Sequence, residues 1–473
     1  MSENPAKKDI YCYAPFFHSH VDSQGENRLC CVANNDLVEA KWKSDLTSSP
    51  KDFWNSAYMK SRRGMMLNNE SPPECQICEA SNTTFIYKQA FHRDFERRFD
   101  EIAEHLGADH SLSSLPYSID YRTAVCNLMC VMCDSASSTA INARFKLRAP
   151  ELVRLARRDW GHALLNRTRR ALHPLLRRLH LNPKITRVLT RLRRFVDLLR
   201  SPWSKDTAAL YYHRNLLSKS SETLGALTEV IESGKLVRAY FAGGEPTLMK
   251  DHLRFLELLL AKNPQVELGY NTNLSRSPEF LRAWCDLLVR FPQVTLYCSL
   301  DAVGVDGEYL RYGLDLKRFE DNLQIIKAHS SWQLQIVLDA TITSLGLFTA
   351  VDLAKFAIQQ GLPLRGRIVI LNHRTSFMLV GFIPQETRRV LVDDFEAFYS
   401  ALKPSEQTLV ADFRDCLQQA LAAPDFTKEE LRQADADIEY FEVLYPEKES
   451  FAQVIRRHLT TVRKARTNHF SQV

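Results

Sequence analysis

The chain contains no run of eighteen apolar residues, and its first residues, Met1 to Lys8, carry no apolar signal segment. Neither a membrane-spanning helix nor export is indicated, so the expected location is the cytoplasm. An even cysteine count is also missing. Eleven cysteines in a leaderless chain of 473 residues read as metal ligands plus buried free thiols, not as a disulfide framework. Composition excludes disorder: with 45% hydrophobic and 25% charged residues the chain has enough apolar mass for a sizeable core spread over two or three domains.

Charge is unevenly distributed. Between Arg144 and Arg200 there are 17 Lys or Arg against three acidic residues, whereas the whole chain nets only +6. Apolar positions such as Leu152, Leu155, Leu164, Leu165, Leu172, Leu175 and Leu179 recur there at helical intervals, and Pro150, Pro174 and Pro183 supply breaks. Two or three amphipathic basic helices are expected over 144–200. Interleaved aromatics are lacking, which argues against a stacking platform for single strands. A solvated helical insertion remains, or a surface for an acidic macromolecule, nucleic acid or anionic lipid.

What stands out is the loop Ala124-Val-Cys-Asn-Leu-Met-Cys-Val-Met-Cys-Asp134, which follows a short strand-like run, Tyr117 to Tyr121. The spacing of Cys126, Cys130 and Cys133 lets three thiolates converge on one cluster from a single tight loop. A cubane iron-sulfur cluster held by three protein thiolates keeps one iron open, whereas a structural site normally supplies four ligands. Cys285, Cys298 and Cys416 sit singly in apolar surroundings and read as core residues.

Further along, strand-like runs at Leu236 to Phe241, Val266 to Tyr270, Val294 to Ser299, Leu334 to Ala340 and Arg367 to Leu371 alternate with helical runs. The helical runs include His252 to Ala261, Pro278 to Val289, Leu316 to Ala328 and Ala350 to Gln359. With the strand before Cys126 these make six βα units, which predicts a parallel sheet covered by helices. Six units suit a partial (β/α)6 barrel with its site at the strands' C-terminal ends. Polar signals fall at those ends. Gly243 and Gly244 let the backbone approach a ligand, and Glu245 offers a carboxylate to an ammonium group. Asn271-Thr-Asn273 and Ser299-Leu-Asp301 offer short polar side chains suited to a ribose or a substrate hydroxyl. Asp301, Tyr309 and Arg311 follow as candidate catalytic residues, a base or substrate anchor just past a strand, with a charged turn as the plainer alternative. Beyond Pro384 the chain reads as helical over Glu386 to Leu402, Glu406 to Leu421 and Lys428 to Val462, without a catalytic signature.

These residues together resemble the radical S-adenosylmethionine (radical SAM) superfamily. The resemblance rests on the Cys-x3-Cys-x2-Cys loop, on Gly243-Gly-Glu-Pro246, and on the Asn-Thr-Asn and Ser-Leu-Asp strand ends, and it covers roughly Pro116 to Phe382. It implies that Cys126, Cys130 and Cys133 ligate a 4Fe-4S cluster whose open iron chelates SAM. Gly243, Gly244 and Glu245 would then engage the methionyl ammonium, and Asn273 and Ser299 the ribose. The implied activity is reductive cleavage of SAM to a 5'-deoxyadenosyl radical that abstracts hydrogen from a peptide, sugar or small metabolite. A reductant such as flavodoxin or ferredoxin would supply the electron.

Near the N-terminus, Cys12, Cys30, Cys75 and Cys78 form a four-thiolate set, for which zinc and an iron-sulfur cluster are equally suitable by chemistry alone. The pattern Cys-x12-Gly-x4-Cys followed by Cys-x2-Cys resembles the twitch domain, the shortened relative of SPASM, here placed before the barrel. That resemblance implies a second, auxiliary 4Fe-4S cluster serving electron transfer or support. Cys31 competes with Cys30 as a ligand, and His18 and His20 read as structural. The expected organisation is a twitch domain over 1–100, a barrel over 115–383 interrupted by the insertion 144–200, and a helical C-terminal extension over 384–473. An RNA-directed enzyme using the Arg-rich insertion, and a non-catalytic iron-sulfur or zinc scaffold, are the two alternatives.

Overall fold

The computed structural model describes residues 10–76, 98, 100–133, 137–152, 154, 227–368 and 375–470, with the backbone alone over 463–470. Cys78 and most of the basic segment, 155–200, lie outside the described residues.

Among the described residues, runs of alternating residues form ten strands. They are β1 (His18–Val21), β2 (Asn27–Arg28), β3 (Ser118–Thr123), β4 (Met129–Cys130), β5 (Arg238–Gly243), β6 (Glu267–Thr272), β7 (Gln293–Ser299), β8 (Arg311–Tyr312), β9 (Leu334–Ile342) and β10 (Leu364–Ile368). Eight of them make one sheet in the order β10-β9-β7-β6-β5-β3-β1-β2, and β4 pairs with β8 apart from it. Every pairing in the large sheet is parallel except β1 with β2. The six expected strands lie side by side in chain order, joined by helices such as His252–Lys262, Pro278–Leu288, Leu316–Ala328 and Ala350–Gln360. Helical crossovers are what parallel neighbours require. The protein is thus a mixed α/β fold around a mostly parallel sheet.

Two boundaries differ from expectation. The last strand begins at Leu364, ahead of the expected Arg367, and is described to Ile368; 369–371 of the expected strand lie outside the described residues. Gly361, at φ 65°, stops the preceding helix, so the chain re-enters the sheet at once. The helix expected over Lys428 to Val462 is two helices, Lys428–Leu444 and Phe451–Phe470. Pro446 forbids continuation, because it lacks the N–H that the next helical turn would use.

The sheet has two unlike faces. Ile119, Tyr121, Ala239, Phe241, Leu268, Tyr270, Leu296, Cys298, Leu338 and Ala340 are buried in one core with helix residues such as Leu256, Trp284, Cys285, Leu323 and Leu353. Cys285 and Cys298 are therefore core thiols, as their surroundings imply. The alternate residues, which a period of two turns the other way, are polar: Asp120, Arg122, Tyr240, Asn271, Tyr297, Ser299, Asp339, Thr341, Arg365 and Arg367. A second core gathers Tyr13, Phe16, Phe17, Trp54, Tyr58 and Met59 of the N-terminal region with Tyr117. A third joins Val131, Ala302 and Leu310 to Phe377, Phe441 and Phe451, so the C-terminal helices pack onto the cysteine loop. Among the described residues no helix is long and apolar enough to cross a membrane.

Candidate functional site

The cysteine loop leaves β3 and is pinned by its neighbours. Cys126 N–H donates to Thr139 Oγ1 at 3.1 Å, Ser138 Oγ donates to the Leu128 carbonyl at 2.7 Å, and Val131 N–H donates to the Leu310 carbonyl at 2.8 Å. All three cysteines lie in one electrostatic neighbourhood. Burial and then Cys130 push the Cys126 thiol up to about 12. The hydrogen bond from Cys133 lowers Cys130, helped by the Arg311 guanidinium, and the same bond with burial raises Cys133. Donors are aimed at the sulfurs: Leu128 N–H at 3.5 Å and Asn273 Nδ2 at 3.9 Å from Cys126 Sγ, and Arg311 Nη1 at 4.0 Å from Cys130 Sγ. Thiolates ligating a cluster use such donors, which offset charge on sulfur.

Beside the loop runs the turn after β5. Gly243 has φ 101°, and a Cβ there would meet the Thr123 carbonyl oxygen at 2.4 Å; one on Gly244 would meet the Val125 carbonyl oxygen at 2.3 Å. Both glycines are thus demanded by backbone approach to the residues leading into Cys126. Glu245 is fully buried, and its carboxylate accepts from Thr247 N–H (3.2 Å), Thr247 Oγ1 (2.6 Å), Thr272 Oγ1 (3.0 and 3.1 Å) and Asn273 N–H (2.6 Å). The side chain expected to receive an ammonium thus ties the end of β6 to the end of β5. Asn273, held there, donates also to Asn127 Oδ1 at 3.3 Å, and Ser275 Oγ does so at 2.9 Å. Ser299 is 7% exposed at the end of β7.

Of the three candidate catalytic residues, two meet. Arg311 grips Asp301 through Nε to Oδ2 at 2.8 Å and Nη2 to Oδ1 at 3.0 Å, and Thr341 N–H also donates to Asp301 Oδ1 at 2.7 Å. Both oxygens of the Asp301 carboxylate are engaged, and the pair backs Cys130. Tyr309 points away toward the C-terminal helices, its hydroxyl donating to the Glu449 carbonyl at 3.2 Å.

In the N-terminal region, burial and then the neighbouring Cys31, Cys12 and Cys75 push the Cys30 thiol up, so these four cysteines share one neighbourhood. Next to Cys75, buried Glu74 receives Arg62 Nε at 2.6 Å and Tyr58 Oη at 2.6 Å. Arg122 of β3 lies close enough to Cys31, as well as to Asp120, to feel its charge, which brings this cysteine group beside the large sheet.

Several residues escaped the sequence reading. Asp339 accepts from Asn271 Nδ2 and Arg365 Nε, each at 2.9 Å, and pairs with Arg367 Nη2 at 2.7 Å on the polar face, where Tyr240 donates to Asn271. A lone acid inside the apolar run Leu334–Ile342 was the available signal. Lys448, in the break between the last two helices, donates to the Tyr309 carbonyl at 2.5 Å and lies 4.4 Å from the Tyr309 ring and 4.5 Å from the Tyr312 ring.

No protein-family model and no curated protein matches the chain. Among solved structures it is similar to Streptococcus suis SuiB bound to precursor peptide SuiA, at 12% identity and TM-score 0.34 over 66% of this chain and 52% of SuiB. It is similar to anSMEcpe with bound AdoMet, at 16% identity and TM-score 0.30 over 38% of this chain and 51% of that one. A third is TYW1 with a lysine-pyruvate adduct bound, at 11% identity and TM-score 0.27 over 37% of this chain and 61% of that one. The chain spans about half the length of the first two. Identities this low leave function to be read from the site itself.

Proposed function

We propose that the chain is a radical SAM enzyme, and the observation that carries this reading is the cysteine loop itself. Buried Cys130 and partly buried Cys126 and Cys133, with donors on the sulfurs of Cys126 and Cys130, sit past the C-terminal end of β3, against the turn at Gly243 and Gly244. Cys126, Cys130 and Cys133 would hold a 4Fe-4S cluster, and the backbone of 243–245 with Asn273 and Ser299 would receive SAM. When bound, the reduced cluster supplies the electron that cleaves SAM to methionine and a 5'-deoxyadenosyl radical able to take a hydrogen atom from substrate.

The chain's own residues have positioning work in this scheme. Arg311, fixed by Asp301, holds positive charge beside Cys130, which favours the anionic sulfur. Glu245 keeps the ends of β5 and β6 in register, so that Asn273 faces Cys126. The polar residues of β3 through β10 would line the inner face of a partial barrel, and the C-terminal helices over 384–473 would close its mouth and keep water from the radical. In the N-terminal region, 1–100, Cys12, Cys30 and Cys75 with Cys78 would hold an auxiliary 4Fe-4S cluster that collects an electron from the substrate radical. Substrates in this reading are a peptide, a sugar or a small metabolite, and a flavodoxin or ferredoxin is the reductant.

The test is anaerobic purification with iron and sulfide analysis, then reduction in the presence of SAM. Two cubanes require about eight irons per chain, and 5'-deoxyadenosine should form. Stoichiometric zinc at the loop, or intact clusters with no deoxyadenosine across peptide, sugar and metabolite substrates, would overturn the proposal.

A further inference from the structure

The N-terminal strand carries a group of side chains that the cysteine chemistry does not use. In the parallel register of β1 on β3, His18 stands opposite Ser118 and His20 opposite Asp120. Residues two apart on a strand share a face, so both imidazoles and the carboxylate project from one side of the sheet. One ligand atom from each of His18, His20 and Asp120 lies within 4.8 Å of the other two, and all three residues are buried. Sequence alone assigned the two histidines a structural role.

The group is not fully satisfied by its own contacts. His20 Nδ1 lies 3.0 Å from Asp120 Oδ2 as an ion-pair contact. Asp120 Oδ1 has no hydrogen-bond partner among the described residues, although Asp120 is only 6% exposed. A buried carboxylate oxygen without a donor is costly, which a bound cation would offset. Outer contacts orient the group. His18 Nδ1 and Ser118 Oγ are 3.0 Å apart, and Arg122 Nη2 lies 3.3 Å from Asp120 Oδ2, which leaves Oδ1 for the ion.

We propose that His18, His20 and Asp120 form a metal site separate from both thiolate sets, taking one divalent first-row ion such as iron(II), manganese(II) or zinc(II). Two imidazoles and one carboxylate are the donor set of mononuclear iron(II) sites with open positions and serve zinc and manganese as well. By position the ion would brace β1 against β3, where the N-terminal region joins the large sheet.

The probe is manganese(II), which thiolates bind poorly. Full-length, cluster-loaded protein is treated with EDTA to remove any resident ion and then titrated with Mn(II) while the signal of the free ion is followed by electron paramagnetic resonance. One tight site per chain is expected, weakened about tenfold or more in His20→Ala and in Asp120→Asn. Asp120→Asn keeps shape and removes only charge, and the visible absorbance and iron content of each variant show that the rest of the fold is intact. Absence of stoichiometric Mn(II) binding by the parent, or equal binding by both variants, overturns the site. The proposal does not depend on the reading of the cysteine loop: zinc there would refute the radical SAM function and leave this titration unaffected.

Discussion

Arg311 stands directly opposite Cys130 in the antiparallel β4–β8 pair, and its guanidinium reaches to 4.0 Å from Cys130 Sγ while gripping Asp301. Backbone and side chain thus hold the middle cysteine at once. Burial would lower the pKa of Arg311, but Asp301 and Cys130 raise it, so its charge is permanent.

That arrangement makes Arg311→Met a severe change. It leaves Asp301 buried without its counter-charge, at a cost of about 3–5 kcal/mol. Combining it with Asp301→Asn should recover part of the loss, because the stranded carboxylate is gone. Urea unfolding of the two single variants and the double variant measures this, and strict additivity of the two effects would contradict it.

Replacing Cys126, Cys130 and Cys133 together by Ala should abolish 5'-deoxyadenosine formation. Iron should fall from about eight to about four per chain if the N-terminal cysteines hold a cubane of their own. Elemental analysis distinguishes this from zinc at the second set.

Glu245→Gln exchanges an acceptor for an amide whose N–H2 faces other donors. The loss of even one charged hydrogen bond to Thr272 or Asn273 should destabilise the protein by about 1.5–3 kcal/mol and weaken SAM binding. Thr272→Val removes one hydroxyl and should cost about 1 kcal/mol. Thermal unfolding and SAM titration check both, and a Glu245→Gln protein as stable as its parent would show that the carboxylate is not what joins β5 to β6.

His252 gives a pH signature remote from the cysteines. It is 1% exposed, lies edge-on between Phe241 at 5.4 Å and Tyr270 at 5.5 Å, and neither ring nitrogen has a hydrogen-bond partner among the described residues. Burial lowers its pKa to about 3 from the usual 6.5. The unfolded chain therefore takes up the proton first as pH falls, so the stabilisation is complete above pH 6.5 and is lost toward pH 3. At pH 5 the loss is about 2 kcal/mol. His252→Leu should remove that part of the acid slope in urea unfolding at pH 7 and pH 5, and an unchanged slope would refute the assignment.

Much of this molecule is written locally. The period of two in β3, β5, β6, β7 and β9, the helical runs between them and the Cys-x3-Cys-x2-Cys spacing are short-range patterns, so the parallel α/β layout and the cysteine loop were legible. Gly361 and Pro446 show where local signals were outvoted or overlooked: each stops a helix through its own backbone chemistry and so moves the boundary of an element.

Other features needed the assembled sheet. Glu245, Thr272 and Asn273 are joined only because β5 and β6 lie side by side, and that contact makes the carboxylate a tie between strands. Asp301 and Arg311 become a support for Cys130 through the β4–β8 pair, which no periodicity announces. His18 and His20 are about a hundred residues from Asp120 in sequence and meet it through a parallel pairing of β1 that extends the sheet beyond its expected edge. Residue types and spacings determined by themselves that the chain has a three-thiol loop and alternating strands and helices. Which charged and polar side chains face each other was decided by strand register, a long-range choice made by the whole core.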